Sequence, residues 1–163
     1  MGVALLGLGV DQASKGAVLE ALSPGQPTEI VGSLVRFNLI FNPGAAFSLG
    51  TSMTLALSIF AIIALLACVF VALRKVRTLP QGLAVGLLMA GISGNLHDRL
   101  FRAPGPLLGH VVDFIQLPHF AIFNVADICI TSAAVLIILL SLRSPSGNGK
   151  GCLLYTSDAA DEE

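Results

Sequence analysis

Residues 55–73 read LALSIFAIIALLACVFVAL, nineteen positions in which only Ser58 is polar, and Arg74, Lys75 and Arg77 stop the run. A helix needs about 20 apolar residues to cross about 30 Å of hydrocarbon. This stretch therefore predicts a membrane span, with lipid as the solvent against which the fold is built. The whole chain agrees. Of its 163 residues, 55% are apolar and 12% charged, against about 45–50% and 25% in globular domains, and the mean hydropathy is +0.86. That balance excludes a disordered chain and argues against a soluble domain.

Three further segments approach spanning length. One starts at Pro80, a residue suited to a first helical turn, and runs to about Leu96, with Gly82, Gly86, Ala90 and Gly94 repeating at four-residue spacing. Such a stripe lets neighbouring helices approach closely. Another, Phe120 to Leu142, is apolar apart from Asn124, Asp127 and a few hydroxyls and ends at Arg143. The first, Gly2 to about Leu22, contains Asp11 and Lys15. It lacks the positive lead and the small-residue cleavage site of a secretory signal, and the few residues before Asp11 suggest a clipped N-terminus. The expected fold is an all-α polytopic membrane protein with four transmembrane helices. The apolar, β-rich stretch VGSLVRFNLIFN (31–42) adds one or two short strands at the membrane surface.

Positive charge sets orientation. Arg74, Lys75 and Arg77 share one connection, and Arg143 and Lys150 follow the last helix, against Arg36, Arg99 and Arg102 on the opposite side. Both termini are thus expected in the cytoplasm. The formal charge of −1 is misleading, because Asp158, Asp161, Glu162 and Glu163 crowd the end of the chain; residues 1–151 carry +3. The stretch CLLYTSDAAD (152–161) breaks from the composition before it and is similar to a translated sequencing adaptor, so 152–163 is expected to be a non-native tail. Cys68 and Cys129 lie in apolar runs, where a thiol behaves as a small hydrophobe.

Ionisable groups at membrane depth cost roughly 2.5–3.5 kcal/mol each even on lenient scales, which makes each one a candidate for function. Asp11 and Lys15, four apart, can pair along one helix face. Asn95, Asp98 and Arg99 close the third helix, Asp113 falls in the loop after it, and Asn124 and Asp127 open the fourth. The predicted topology gathers nearly all of them near one membrane surface. Asp113 and Asp127 are the most suggestive pair. Two carboxyls beside a low-dielectric medium cannot both ionise cheaply; one can act as base toward water while the other acts as acid. No metal is expected, because His97, His110 and His119 lack ligand spacing, and no Gly-x-Ser-x-Gly elbow offers a nucleophile. The same residues could relay protons in a small transporter, although none is expected at mid-membrane in the second or third helix.

Five blocks in order, VDQASK (10–15), FNPGAAFS (41–48), GNLHDR (94–99), GHVVDF (109–114) and FNVAD (123–127), resemble the lipoprotein signal peptidase (type II signal peptidase) family over about residues 5–143. The resemblance implies a single membrane-embedded peptidase domain over 1–151, with four spans and a small extracytoplasmic β-rich cradle. It implies a bacterial inner-membrane aspartic endopeptidase that cuts prolipoproteins before a diacylglyceryl-modified cysteine, near the extracytoplasmic surface. By motif, Asp113 and Asp127 become the catalytic pair, supported by Asp11, Lys15, Asn42, Asn95, Arg99 and Asn124. The implied partners are lipidated precursors and membrane lipid, with no nucleic acid, no cofactor and a monomeric state.

Overall fold

The computed structural model describes residues 1–44 and 52–143. The elements run α1 (Gly2–Ala21), β1 (Thr28–Val31), β2 (Val35–Asn42), α2 (Ser52–Arg74), α3 (Leu79–Phe101), β3 (Val111–Gln116) and α4 (Val125–Arg143). Among the described residues, three helices are long and apolar enough to cross a membrane, over Met53–Arg74, Leu79–Phe101 and Val125–Leu142. Helix α1 is also twenty residues long, but it carries Asp11, Lys15 and Glu20 and falls outside that set. Large apolar side chains such as Phe60, Ile63, Leu66, Ile138 and Leu142 point outward, as a fold dissolved in hydrocarbon requires. The part of the 41–48 block beyond Gly44, and the whole 152–163 tail, lie outside the described residues.

Helix α3 is the hub, since α1, α2 and α4 each pack on it. Its small residues explain why. A Cβ at Gly91 would run into the Ala126 carbonyl oxygen, and one at Gly86 would sit 2.9 Å from Val3 Cβ. Close approach of this kind is what holds apolar helices together when lipid supplies no hydrophobic drive between them. The helix begins at a reciprocal cap: Thr78 accepts from the Gln81 N–H, and the Gln81 side chain accepts from the Thr78 N–H, which satisfies two otherwise orphaned donors. It extends a turn past the expected end near Leu96, so Asp98 and Arg99 are helical residues.

The strands form one antiparallel sheet in the order β1-β2-β3. Ile40 pairs with Asp113 and Asn42 with Val111. The expected loop around Asp113 is therefore the strand β3. HVVDFI is too short a run to separate from a loop by periodicity, and only pairing with β2 makes it a strand. Alternation then sorts its faces. Val112 and Phe114 join Leu39 and Val18 in a buried cluster, with Phe37 edge-on to Phe114 at 5.6 Å, which ties the sheet to the last turns of α1. Val111 and Asp113 face the other way.

The fourth helix also departs from expectation, starting at Val125 and not at Phe120. Phe123 is an isolated bridge partner of Ile115, and His119 sits at φ 58°, so the aromatic residues before Asn124 form a returning loop. Their apolar character prolonged the apparent run.

Candidate active site

Each polar residue singled out in the sequence is positioned by a local device. In Asn42-Pro43-Gly44 the Gly44 N–H donates to Asn42 Oδ1 at 2.8 Å, an Asx-type turn. This fixes which way the amide points, and Asn42 Nδ2 donates to Asp113 Oδ2 at 2.9 Å. Gly44 suits the position through its φ of +110°, and a Cβ there would also displace the end of the Leu57 side chain, 2.6 Å away.

Asp127 is fixed by the start of α4. Asn124 accepts from the Asp127 N–H at 3.0 Å, while Asp127 Oδ2 accepts from the Asn124 N–H at 3.1 Å. This reciprocal cap leaves Asp127 Oδ1 to accept from Asn95 Nδ2 at 2.9 Å. Asn124 Nδ2 is shared between Asp113 Oδ1 at 2.6 Å and Asn95 Oδ1 at 3.0 Å. Two asparagines thus link the two carboxylates through one hydrogen-bonded chain.

Beneath this chain lies a buried ionic cluster. Lys15 Nζ is 2.9 Å from Asp11 Oδ2 and 2.8 Å from Asp98 Oδ2, all three side chains being essentially inaccessible, and it donates to Asn95 Oδ1 at 3.2 Å. Asp11 Oδ1 accepts from the Ala126 N–H in the first turn of α4, and Asp98 accepts from Arg102 Nε and the Val112 N–H. Asp98, placed by the sequence at the close of the third helix, is absent from the set of supporting residues that the resemblance implies. In the fold it is the joint between α1, α3 and β3, and its i, i+4 spacing to Arg102 was the available signal.

Asn42, Asn95, Arg99, Asp113 and Asp127 line one cavity of about 200 Å³, with Leu57 and Val111 as apolar wall. Asn124, itself buried, stands behind it. Among the described residues, Arg99 Nη1 has no hydrogen-bond partner, which leaves a guanidinium donor free beside the carboxylates. Burial pushes the Asp113 carboxyl up to about 6; the Asp127 charge adds to the rise, while the amides of Asn42 and Asn124 and the Lys15 charge oppose it. Helix α2 frames the cavity through its few hydroxyls. Thr54 donates to the Pro43 carbonyl, and Ser58 donates to the Leu107 carbonyl at 2.7 Å, pinning the loops before α2 and before β3.

Lipid-facing helices around a polar, carboxylate-lined cavity define an α-helical membrane enzyme equipped for acid–base chemistry. Comparison with known proteins makes the class specific. The family model for signal peptidase (SPase) II matches residues 3–143. The chain is 45% identical over 149 residues to the lipoprotein signal peptidase of Streptomyces coelicolor A3(2), covering 90% of this chain and 72% of that one. It is 39% identical over 142 residues to that of Mycobacterium tuberculosis H37Rv, covering 87% and 70%. Its fold is similar to a bacterial membrane enzyme solved in meso at 2.3 Å, with a TM-score of 0.79 at 28% identity over 91% of this chain and 90% of that one. The chain belongs to the signal peptidase II family, proteases that remove signal peptides from prolipoproteins.

Proposed function

We propose that this chain is a four-span aspartic endopeptidase in which Asp113 and Asp127 cleave the peptide bond preceding a diacylglyceryl-modified cysteine. The observation that carries the proposal is the shared cavity, in which both carboxylates stand beside Asn42, Asn95 and Arg99.

Asp113 is the member pushed up to about 6, which suits it to hold the shared proton. Asp127, aimed by Asn95 and the Asn124 N–H, takes a proton from water as its oxygen bonds to the scissile carbonyl carbon. Asp113 passes its proton to the carbonyl oxygen. As the tetrahedral species collapses, the C–N bond breaks, the proton held by Asp127 goes to the departing amine, and the hydroxyl proton returns to Asp113. Arg99, with its free donor, compensates the negative charge of the pair and steadies the substrate backbone.

Helix α1 is the fourth span in this reading. Its charges do not prohibit burial, because Asp11, Lys15, Asp98 and Arg102 form a network of balanced sign. The catalytic end is the one where α3 finishes and α4 starts, opposite the basic turn of Arg74, Lys75 and Arg77. Positive charge favours the cytoplasm, so the carboxylates lie at the extracytoplasmic surface, where a doubly acylated cysteine is held by its own chains.

A precursor peptide bearing diacylglyceryl-cysteine, mixed with protein in detergent or bilayer, tests the proposal. Asp113→Asn and Asp127→Asn should each lower cleavage by about 10²–10⁴-fold. Cleavage at the wild-type rate in either variant would remove that residue from the mechanism.

A further inference from the structure

Outside the catalytic cavity, the other end of the bundle holds a second one. Helices α2 and α4 both pack on α3 but hardly on each other among the described residues, which leaves a groove over α3 of about 280 Å³. Val71, Val85 and Ile137 form its apolar length, and Lys75, Gln81 and Ser141 stand at its mouth. The end of α2 adds Arg74 and the turn to α3 adds Arg77, and all three basic side chains are exposed. None of them forms an ion pair with an acid among the described residues. Every acid of the described chain lies elsewhere: Asp11 midway along α1, and Glu20, Glu29, Asp98, Asp113 and Asp127 toward the catalytic end. An apolar slot open to the bilayer, capped by uncompensated positive charge at head-group depth, is complementary to one class of molecule.

We infer that this groove is a binding site for an anionic phospholipid, one acyl chain lying between α2 and α4 and the head-group phosphate held by Lys75 with Arg74 and Arg77. Basic pockets between spanning helices hold anionic head groups in this way. The site requires only that α2 and α4 span the bilayer; it is independent of the roles of Asp113 and Asp127.

Native mass spectrometry of the full chain in detergent, with added phosphatidylglycerol or phosphatidylcholine of matched acyl chains, tests it. The expected result is a single phosphatidylglycerol retained at least about five-fold over phosphatidylcholine, the effect of about one interfacial charge. Lys75→Gln should weaken it by about five-fold. Ile137→Trp, at a groove-lining position 40% exposed, should displace the acyl chain and weaken retention of both lipids. Equal retention of the two lipids would overturn the site. So would phosphatidylglycerol retention untouched by Ile137→Trp, which would mean diffuse surface attraction, or competition by glycerol phosphate as effective as that by the intact lipid. Precursor cleavage assayed alongside reports the catalytic proposal separately.

Discussion

Replacing Asp113 by asparagine should change how stability depends on pH, by an amount the structure sets. The carboxyl is only 2% exposed, and burial pushes it up from the model-compound 3.8 to about 6. A raised acid in the folded state binds more protons than in the unfolded state between those two values, so stability falls as pH rises through that window and is constant above it. The whole penalty is about 3 kcal/mol, of which about 2 kcal/mol develops between pH 4 and pH 7. Asn at this position cannot ionise and escapes the penalty. It carries a different defect, because Asn42 Nδ2 and Asn124 Nδ2 both donate to Asp113, and a side-chain NH₂ would face one of those donors. That mismatch costs about 1–3 kcal/mol and does not vary with pH. Wild type should therefore be the more stable protein at pH 4, and the gap should shift by about 2 kcal/mol in favour of Asp113→Asn at pH 7. Denaturant unfolding of both proteins in the same detergent, at the two pH values, measures the difference with the titration of every group not coupled to Asp113 cancelled. A gap that stays constant would show that Asp113 is not held above its ordinary range, and the assignment of the shared proton to it would fall.

The same raised carboxyl predicts that kcat/KM for a lipidated precursor declines about tenfold per unit as pH rises above about 6, because the acid form of Asp113 is lost; a profile flat to pH 8 would contradict it. Asn42→Ala removes a donor to Asp113 and should raise the carboxyl further, while Asp127→Asn removes a repelling charge and should lower it, both readable by infrared titration of the carboxyl band. Lys15→Met strands Asp11 without its cation and leaves Asp98 with Arg102 alone, and should destabilise by about 3–5 kcal/mol, with partial recovery in Lys15→Met/Asp11→Asn; equal stability of single and double variants would deny the coupling. Gly91→Ala drives a methyl into the Ala126 carbonyl and should cost about 1–3 kcal/mol. Gly9→Ala, with nothing within 4 Å of the added Cβ, should instead gain up to about 1 kcal/mol from helix propensity.

The helices were legible because lipid makes a demand that sequence must meet continuously: LALSIFAIIALLACVFVAL has few alternatives. The glycine stripe of α3 was legible for a related reason, since close helix approach leaves no room for other residues, and Gly86 and Gly94 do meet α1. Strand β3 was not legible. Six residues with alternating faces look like a loop until β2 is beside them, and pairing is a long-range fact absent from local composition. The start of α4 was misplaced by the apolar Phe120, Ile122 and Phe123, which precede the helix: Phe123 bridges to Ile115 of β3 and Phe120 packs against its ring.

The candidate site divides along the same line. Asp113, Asp127, Asn95 and Asn124 could be singled out because a polar residue in an apolar run demands an explanation, and the structure joins them in one hydrogen-bonded chain. Asp98 carried the same signal, but a carboxylate beside Arg99 at a helix end has an ordinary explanation as an ion pair. Its importance is topological: one carboxylate accepts from Arg102 on its own helix and the Val112 N–H on β3 and pairs with Lys15 on α1. The Val112 bond fixes the strand one residue from Asp113, and Lys15 also reaches Asn95, which holds Asp127. The buried ion network therefore sets the relative position of the two carboxylates from below, while the Asx turn at Asn42 and the cap at Asn124 set their orientation from above. On the proposed mechanism, the residues that carry the energetic burden of buried charge also align the two carboxylates.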